Sequence, residues 1–243
     1  LVSVREQLEG TTRNTSAIPT VAMQDTCEFL EEELEEIYPE AGIRFPIDVQ
    51  DAEYVFFPAV SDYLMEADTL MGNAAVLQLT GASWTIGTGN YDGINYGVWY
   101  DDIQFARVAV KHAEAARKLG VKRIVLGECG HAHKALTVIA DKVLTGDLNI
   151  PRESSMVTLR DIIRSGTLKL DPSRNDFPVT LHDPCNLVRL MGIVKPQREI
   201  LEAILPPGRF REMTPHGVAN YCCGGGSGFA VGNSVNFTDG RRR

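Results

Sequence analysis

A chain of 243 residues, 44% of them hydrophobic and 23% charged, is long enough to bury one large core or two smaller ones. Its formal net charge of −8 argues against nucleic acid as a main partner, and Arg241, Arg242 and Arg243 read as a short solvated end. No stretch reaches the ~18 consecutive apolar residues of a membrane span. The opening "LVSVREQLEG" has neither an initiator Met nor a basic start leading into an apolar core, so it is not read as a signal peptide and further residues are expected upstream.

In chain order, "VAMQDTCEFLEEELEEI" (Val21 to Ile37) has the spacing of an amphipathic helix with an acidic outer face. Cys27 on that helix has no ligand partner nearby and reads as a small buried apolar residue. "AEYVFFPAV" is a short apolar run of the kind that makes a strand buried on both faces. "SDYLMEADTLMGNAAVLQLTG" follows as a helix, with Ser61 as its cap and Gly81 as its stop. "SWTIGT" is a second strand. "GTGNYDG" lacks both the P-loop lysine and the spacing of a dinucleotide site, so it reads as a strand-end loop. Tyr96, Trp99 and Tyr100 cluster just after it and are expected in the core. Asp101 to Gly120 is a strong helix, acidic at its start and basic near its end. His112, in its middle, is expected at the surface. "VKRIVLG" is the third strand.

This alternation predicts parallel strands joined by crossover helices. The second half repeats it in outline: "SSMVTLRDIIRSG" as helix, "FPVTLHD" as strand, "QREILEAIL" as helix and "RFREM" as strand. The expected fold is therefore α/β, with two lobes of mainly parallel sheet flanked by helices, residues 1–145 and 146–243, and a junction in "GDLNIPRES".

Chemistry-bearing residues stand just after three of these strands. "VLGECGHAH" places Cys129, His131 and His133 there, "TLHDPCNL" places His182, Asp183 and Cys185, and "NYCCGGGSG" places Cys222 and Cys223. Ligands of open α/β sheets gather beyond the carboxyl ends of the strands, so the three sites can converge. Thirty-six residues separate Cys185 from Cys222, about one strand–helix–strand unit, which suits neighbouring loops at one sheet edge. Five cysteines without a secretory mark point to metal or redox chemistry rather than a disulfide framework. Adjacent cysteines make a strained pair with each other, and both can instead point at one object. Gly224, Gly225 and Gly226 leave room for bulk and offer N–H groups to sulfur. The CxxC or His/Cys spacings of zinc knuckles and the CxxCxxC run of cubane clusters do not occur, which favours a cluster gripped from separate loops. His131 and His133 either bond backbone carbonyls or ligate the bound group. His182 and Asp183 either pin their loop or join the site.

"HDPC", a 36-residue gap and then "CCGGG" resemble the cysteine-rich CCG domain family, which includes heterodisulfide reductase subunits and the iron–sulfur subunits of glycolate, lactate and glycerol-3-phosphate oxidation systems. "GECGHA", "LHDPCNLVRLMGI", "YCCGGGSGFAV" and "INYGVWYDD" resemble most closely the DsrK-type subunit of the membrane complex of dissimilatory sulfur metabolism. The resemblance implies an oxidoreductase acting on a sulfur group, with a noncubane [4Fe–4S] cluster between the lobes at the strand ends. Cys185, Cys222 and Cys223 match the first cysteine and the pair of a second repeat cut short before its final CxxC, Cys129 matches the remnant in a degenerate first repeat, and Gly224 and Gly225 line the cluster loop. His131, His133 or His182 would supply the proton to a departing thiolate.

The same resemblance implies a disulfide or trisulfide on a small DsrC-type sulfur carrier as substrate, and a cytochrome b-type membrane subunit exchanging electrons with quinones. It also implies a place on the cytoplasmic face of the membrane, held there by partner subunits. Two family features are expected beyond this sequence: a final CxxC after Cys223, and an N-terminal ferredoxin-like domain with cubane clusters. An electron-relay subunit of a quinone-linked organic-acid dehydrogenase, and a non-enzymatic zinc or cysteine scaffold, are the rival readings.

Overall fold

The computed structural model describes residues 18–59, 62, 67–88, 102–127 and 130–223, with the side chains of 18–22, 102, 104, 105, 108, 131 and 135 left aside. The chain divides into two compact units, Leu1–Glu153 and Ser154–Arg243.

The first unit is built on a four-stranded sheet in the order β2-β1-β3-β4, formed by β1 (Tyr54–Phe57), β2 (Trp84–Ile86), β3 (Arg123–Leu126) and β4 (Arg152–Ser154). β1 pairs in parallel with both β2 and β3, and its four residues are buried, as expected of an aromatic and β-branched run in the middle of a parallel sheet. Helices α1 (Ile18–Ile37), α2 (Ala67–Leu79) and α3 (Asp102–Leu119) alternate with the strands. The register sets two faces. Val55 and Phe57 lie beside Ile124 and Leu126, while Tyr54 and Phe56 lie beside Arg123 and Val125. The first face closes against Ala109, Ala113 and Ala116 of α3 and against Ala132, Leu136, Ile139 and Ala140 of the helical run that follows β3.

His112 corrects the surface expectation. It is fully buried, with its ring set edge-on to Phe57 at 4.8 Å and 82°. The physical reason is its stripe: Ala109, Ala113 and Ala116 share that side of α3, and three small side chains leave room for an imidazole. Tyr96, Trp99, Tyr100 and the cap at Ser61 lie outside the described residues.

Gly127 closes the end of β3. Its N–H donates to the Phe57 carbonyl at 2.9 Å, and a Cβ there would stand 2.9 Å from Ala59 N and 3.0 Å from Pro58 Cα. Only glycine lets the two backbones approach so closely.

The second unit begins with α4 (Ser155–Ser165), whose N-cap Ser154 accepts from the Met156 N–H at 3.2 Å. It continues with β5 (Val179–Leu181), α5 (Lys195–Ile204) and β6 (Phe210–Glu212). β5 and β6 pair in parallel, Val179 beside Phe210, Thr180 beside Arg211 and Leu181 beside Glu212, with α5 as the crossover. Neither strand is fully buried. Among the described residues no helix is long and apolar enough to cross a membrane.

Candidate metal centre

Parallel pairing brings the carboxyl ends of β5 and β6 to the same side of the small sheet, so the segments His182–Cys185 and Met213–Cys223 leave as neighbours. Pro184 ends the first strand, and its carbonyl accepts from the N–H groups of Leu187 and Val188 at 3.0 and 2.9 Å. This starts a π-helical turn, Asn186–Leu190, with Cys185 at its head in helical conformation. Such turns re-aim side chains at functional sites. Buried Leu187 and Val188 anchor the turn from below.

Asp183 ties the two segments together. Its carboxylate is buried and takes both arms of Arg198 from α5, Nη1 to Oδ1 at 2.9 Å and Nη2 to Oδ2 at 2.8 Å. Its Oδ2 also accepts the Gly217 N–H at 2.5 Å, and its main-chain carbonyl accepts from the Asn220 side-chain amide. Gly217 can make that contact because it stands at a φ of +61°, a conformation that favours glycine. Arg198 also donates to Glu212, the last residue of β6, through Nε at 2.5 Å and Nη2 at 3.0 Å. The guanidinium beside Asp183 holds the carboxyl below its usual range despite burial, and the carboxylate raises Arg198 in turn.

Cys185 stands two residues beyond Asp183, and Cys222 two residues beyond Asn220. Their sulfurs are 3.8 Å apart. Cys185 is half-buried, while Cys222 and Cys223 are exposed. Burial first, and then the neighbouring Cys222 and Cys223, push the Cys185 thiol up. Thiolates crowded in this way repel one another, so a bound cation would displace protons from the group.

The donor set fits a sulfur-ligated metal group. Two thiolates about 2.3 Å from one tetrahedral ion stand about 3.8 Å apart, and this is the separation found. Among the described residues no three or more His, Cys, Asp or Glu side chains form a cage for a single ion. Asp183, two residues before Cys185, is already engaged by Arg198 and Gly217. A mononuclear zinc site needs four donors at one point, whereas a cluster brings bridging sulfides of its own and spreads its thiolates over several irons. Cys185 and Cys222 can thus share one metal atom, an iron of a cluster or a single zinc.

An open cleft of about 310 Å3 is lined in part by Leu181, His182, Met213, Pro215, Asn220 and Tyr221, the residue before Cys222, and by none of the described cysteines. His182 is exposed along it. His133 belongs to the first unit and is buried there, 1% exposed. Cys129, Gly224, Gly225 and the side chain of His131 lie outside the described residues. Sequence reasoning passed over Arg198, Glu212, Gly217 and Asn220. Asn220 borders the cysteine pair closely, the one local signal; Arg198 has none, because its partner sits on another element.

Residues 179–243 match the model of the CCG cysteine-rich domain. The chain is similar to an Hdr-like menaquinol oxidoreductase iron–sulfur subunit of Archaeoglobus profundus, 28% identical over 171 residues that cover 56% of this chain and 30% of that protein. It is also similar to a subunit of the dihydromethanophenazine:CoB–CoM heterodisulfide reductase of Methanosarcina acetivorans, 35% identical over 130 residues, 52% of this chain and 31% of the relative. The corresponding protein of Methanosarcina barkeri is 32% identical over 138 residues, 56% and 32% of the two chains. The chain thus spans about a third of the length of the curated relatives it matches. No solved structure matches it. Cys185, Cys222 and Cys223 lie inside the segment that matches the CCG cysteine-rich domain, in a chain similar to heterodisulfide-reductase-like iron–sulfur subunits over about half its length.

Proposed function

We propose that the chain is the cluster-bearing part of a heterodisulfide-reductase-like oxidoreductase subunit and that it carries out thiol–disulfide chemistry on a small sulfur-carrier protein. The observation that carries this reading is the 3.8 Å approach of Cys185 and Cys222 within the matched cysteine-rich segment. Cys185, Cys222 and Cys223 would hold a noncubane [4Fe–4S] cluster, with Gly224 and Gly225 giving it room. When bound, such a group supplies electrons one at a time, so that a two-electron bond cleavage proceeds in halves.

The chain's own residues set the rest. Asp183 and Arg198 hold the two cysteine loops in register. The cleft beside them admits the sulfur-bearing end of a substrate, and His182, exposed along it, gives a proton to the departing thiolate sulfur. A cytochrome b-type partner would link the chain to membrane quinones, with its acidic surface on the cytoplasmic face; the menaquinol in one relative's name supports the quinone link.

The test is iron, zinc and acid-labile sulfide per chain in protein made without oxygen. About four irons with matching sulfide are expected. Zinc without sulfide would overturn the redox reading in favour of a scaffold. A change in the EPR signal on adding a disulfide then marks a catalyst, and an unresponsive signal marks the electron relay of an organic-acid dehydrogenase.

A further inference from the structure

We propose that Cys185 and Cys222 form a reversible disulfide in the metal-free chain, with Cys223 remaining reduced, and that this bond closes the site to metal. The geometry points to this pair. Their sulfurs stand 3.8 Å apart, and closing to the ~2.05 Å of an S–S bond asks for less than about 2 Å of side-chain movement. The chain's own hydrogen bonds tie the two loops together. Asp183 bonds Gly217 and Asn220 on the far loop, and Arg198 locks the Asp183 carboxylate. The sulfurs therefore stay close in a chain that has lost its metal group.

The vicinal pair is the worse partner. Adjacent Cα atoms are ~3.8 Å apart across a trans peptide, short of the ~4.4–6.8 Å that disulfides span. Exposure sets the order of events. Cys222 is exposed and Cys185 half-buried, so the thiolate of Cys222 attacks a small-molecule disulfide first. One thiolate leaves, and Cys222 carries the other half as a mixed disulfide. The Cys185 sulfur then attacks the Cys222 sulfur and expels the second thiolate. In the balance, two protein thiols are oxidised to one disulfide and one small disulfide is reduced to two thiols, which take up the two protons. Metal and disulfide compete because both use the same two sulfurs. Oxidation of these two sulfurs stops at a reducible stage instead of climbing to sulfinic and sulfonic acids.

The full chain, stripped of metal and reduced, is treated with oxidised glutathione, alkylated under denaturing conditions and mapped by peptide mass. A Cys185–Cys222 link is expected in wild type and in Cys223→Ser. In Cys185→Ser, glutathione should remain attached to Cys222. A Cys222–Cys223 link, or glutathione on Cys222 of the wild type with no internal bond, overturns the proposal. Reconstitution with iron and sulfide gives the second readout: the oxidised chain should lose iron uptake and recover it after dithiothreitol. Equal uptake before and after reduction would overturn the closing role. Failure of the fully reduced chain to take up iron would count against the cluster reading, while the peptide map still decides the disulfide.

Discussion

The two sheets hold their strand ends by different means. In the first unit, β1 and β3 are covered on one face by the alanine stripe of α3, and the last turn is fixed by backbone against backbone at Gly127. In the second unit, β5 and β6 are three residues each and only partly buried, and charge does the holding: Asp183, Arg198 and Glu212 form a network at the very ends that carry the cysteines. A packed core resists small changes of position. A polar network fixes direction at a few points and leaves the sulfurs above it near solvent, as the proposed function requires. Stability and metal binding can therefore be separated by mutation in the second unit, whereas the strand ends of the first unit answer chiefly to volume.

The largest expected effect is on metal, with little on folding. Cys222 is exposed, so Cys222→Ser should shift stability by no more than about 0.5 kcal/mol yet abolish the cluster signal in anaerobically prepared protein. Iron per chain equal to wild type would remove Cys222 from the ligand set. A large loss of stability would break the contrast between the two units.

Next comes the clamp. Asp183→Ala leaves the Arg198 charge in a mostly buried place with Glu212 as its remaining acidic partner, and removal of one member of such a pair costs about 3–5 kcal/mol; retention of Glu212 points to the lower end. Hydrogen exchange should quicken at β5 and β6 and stay slow at β1 and β3. Uniform quickening across both sheets would show that the units share one cooperative transition. Arg198→Lys should lose much of the same stability, because an ammonium cannot replace a guanidinium that bonds two carboxylates at once.

These two experiments also mark where the sequence was readable. The α/β alternation was legible because β1 is a run of apolar residues covered on both sides and α3 keeps helical spacing. The placing of Cys185 and Cys222 just beyond strands was legible because a strand–helix–strand unit has a nearly fixed length, and the two sulfurs do meet. The clamp was not legible: Arg198 finds Asp183 across fifteen positions and from another element, and no local pattern marks such a pair. His112 misled because a titratable side chain in mid-helix usually faces water, and only the alanines around it make space. β4 was hidden because Arg152, Glu153 and Ser154 have no apolar pattern; β4 is an edge strand, and its Arg152 and Glu153 face ion-pair partners rather than a core.

A smaller effect is expected at Gly127. An alanine Cβ there meets Ala59 N, Phe57 O and Pro58 Cα, all backbone, at 2.9–3.0 Å. Backbone cannot swing away as a side chain can, so Gly127→Ala should cost about 1–3 kcal/mol, the range of overpacking. The loss should appear as faster exchange at β1 and β3 with β5 and β6 unchanged, the mirror image of Asp183→Ala. A Gly127→Ala protein as stable as wild type would mean that the first unit yields more easily than its packing implies.

The smallest effect separates the two units by pH. Cys27 is wholly buried in the first unit, and burial, helped by Glu31 and Glu28, pushes its thiol up to about 12 from an ordinary 9.0. The folded chain therefore keeps a proton that the unfolded chain releases at lower pH. Stability from this source is complete below pH 9, falls as pH rises above that value and is gone near 12. Each unit of separation is worth about 1.4 kcal/mol, so by pH 10, one unit above the unfolded value, the loss is on the order of 1 kcal/mol. Tyr54, raised chiefly by burial, adds to the same alkaline slope from about pH 10 upward. Thermal melts between pH 8 and pH 10.5 should fall more steeply for wild type than for Cys27→Ala, with Tyr54→Phe flattening the curve further. Parallel curves would mean that the thiol ionises in the folded chain as readily as in the unfolded one, and that the first unit is looser around α1 than its burial implies.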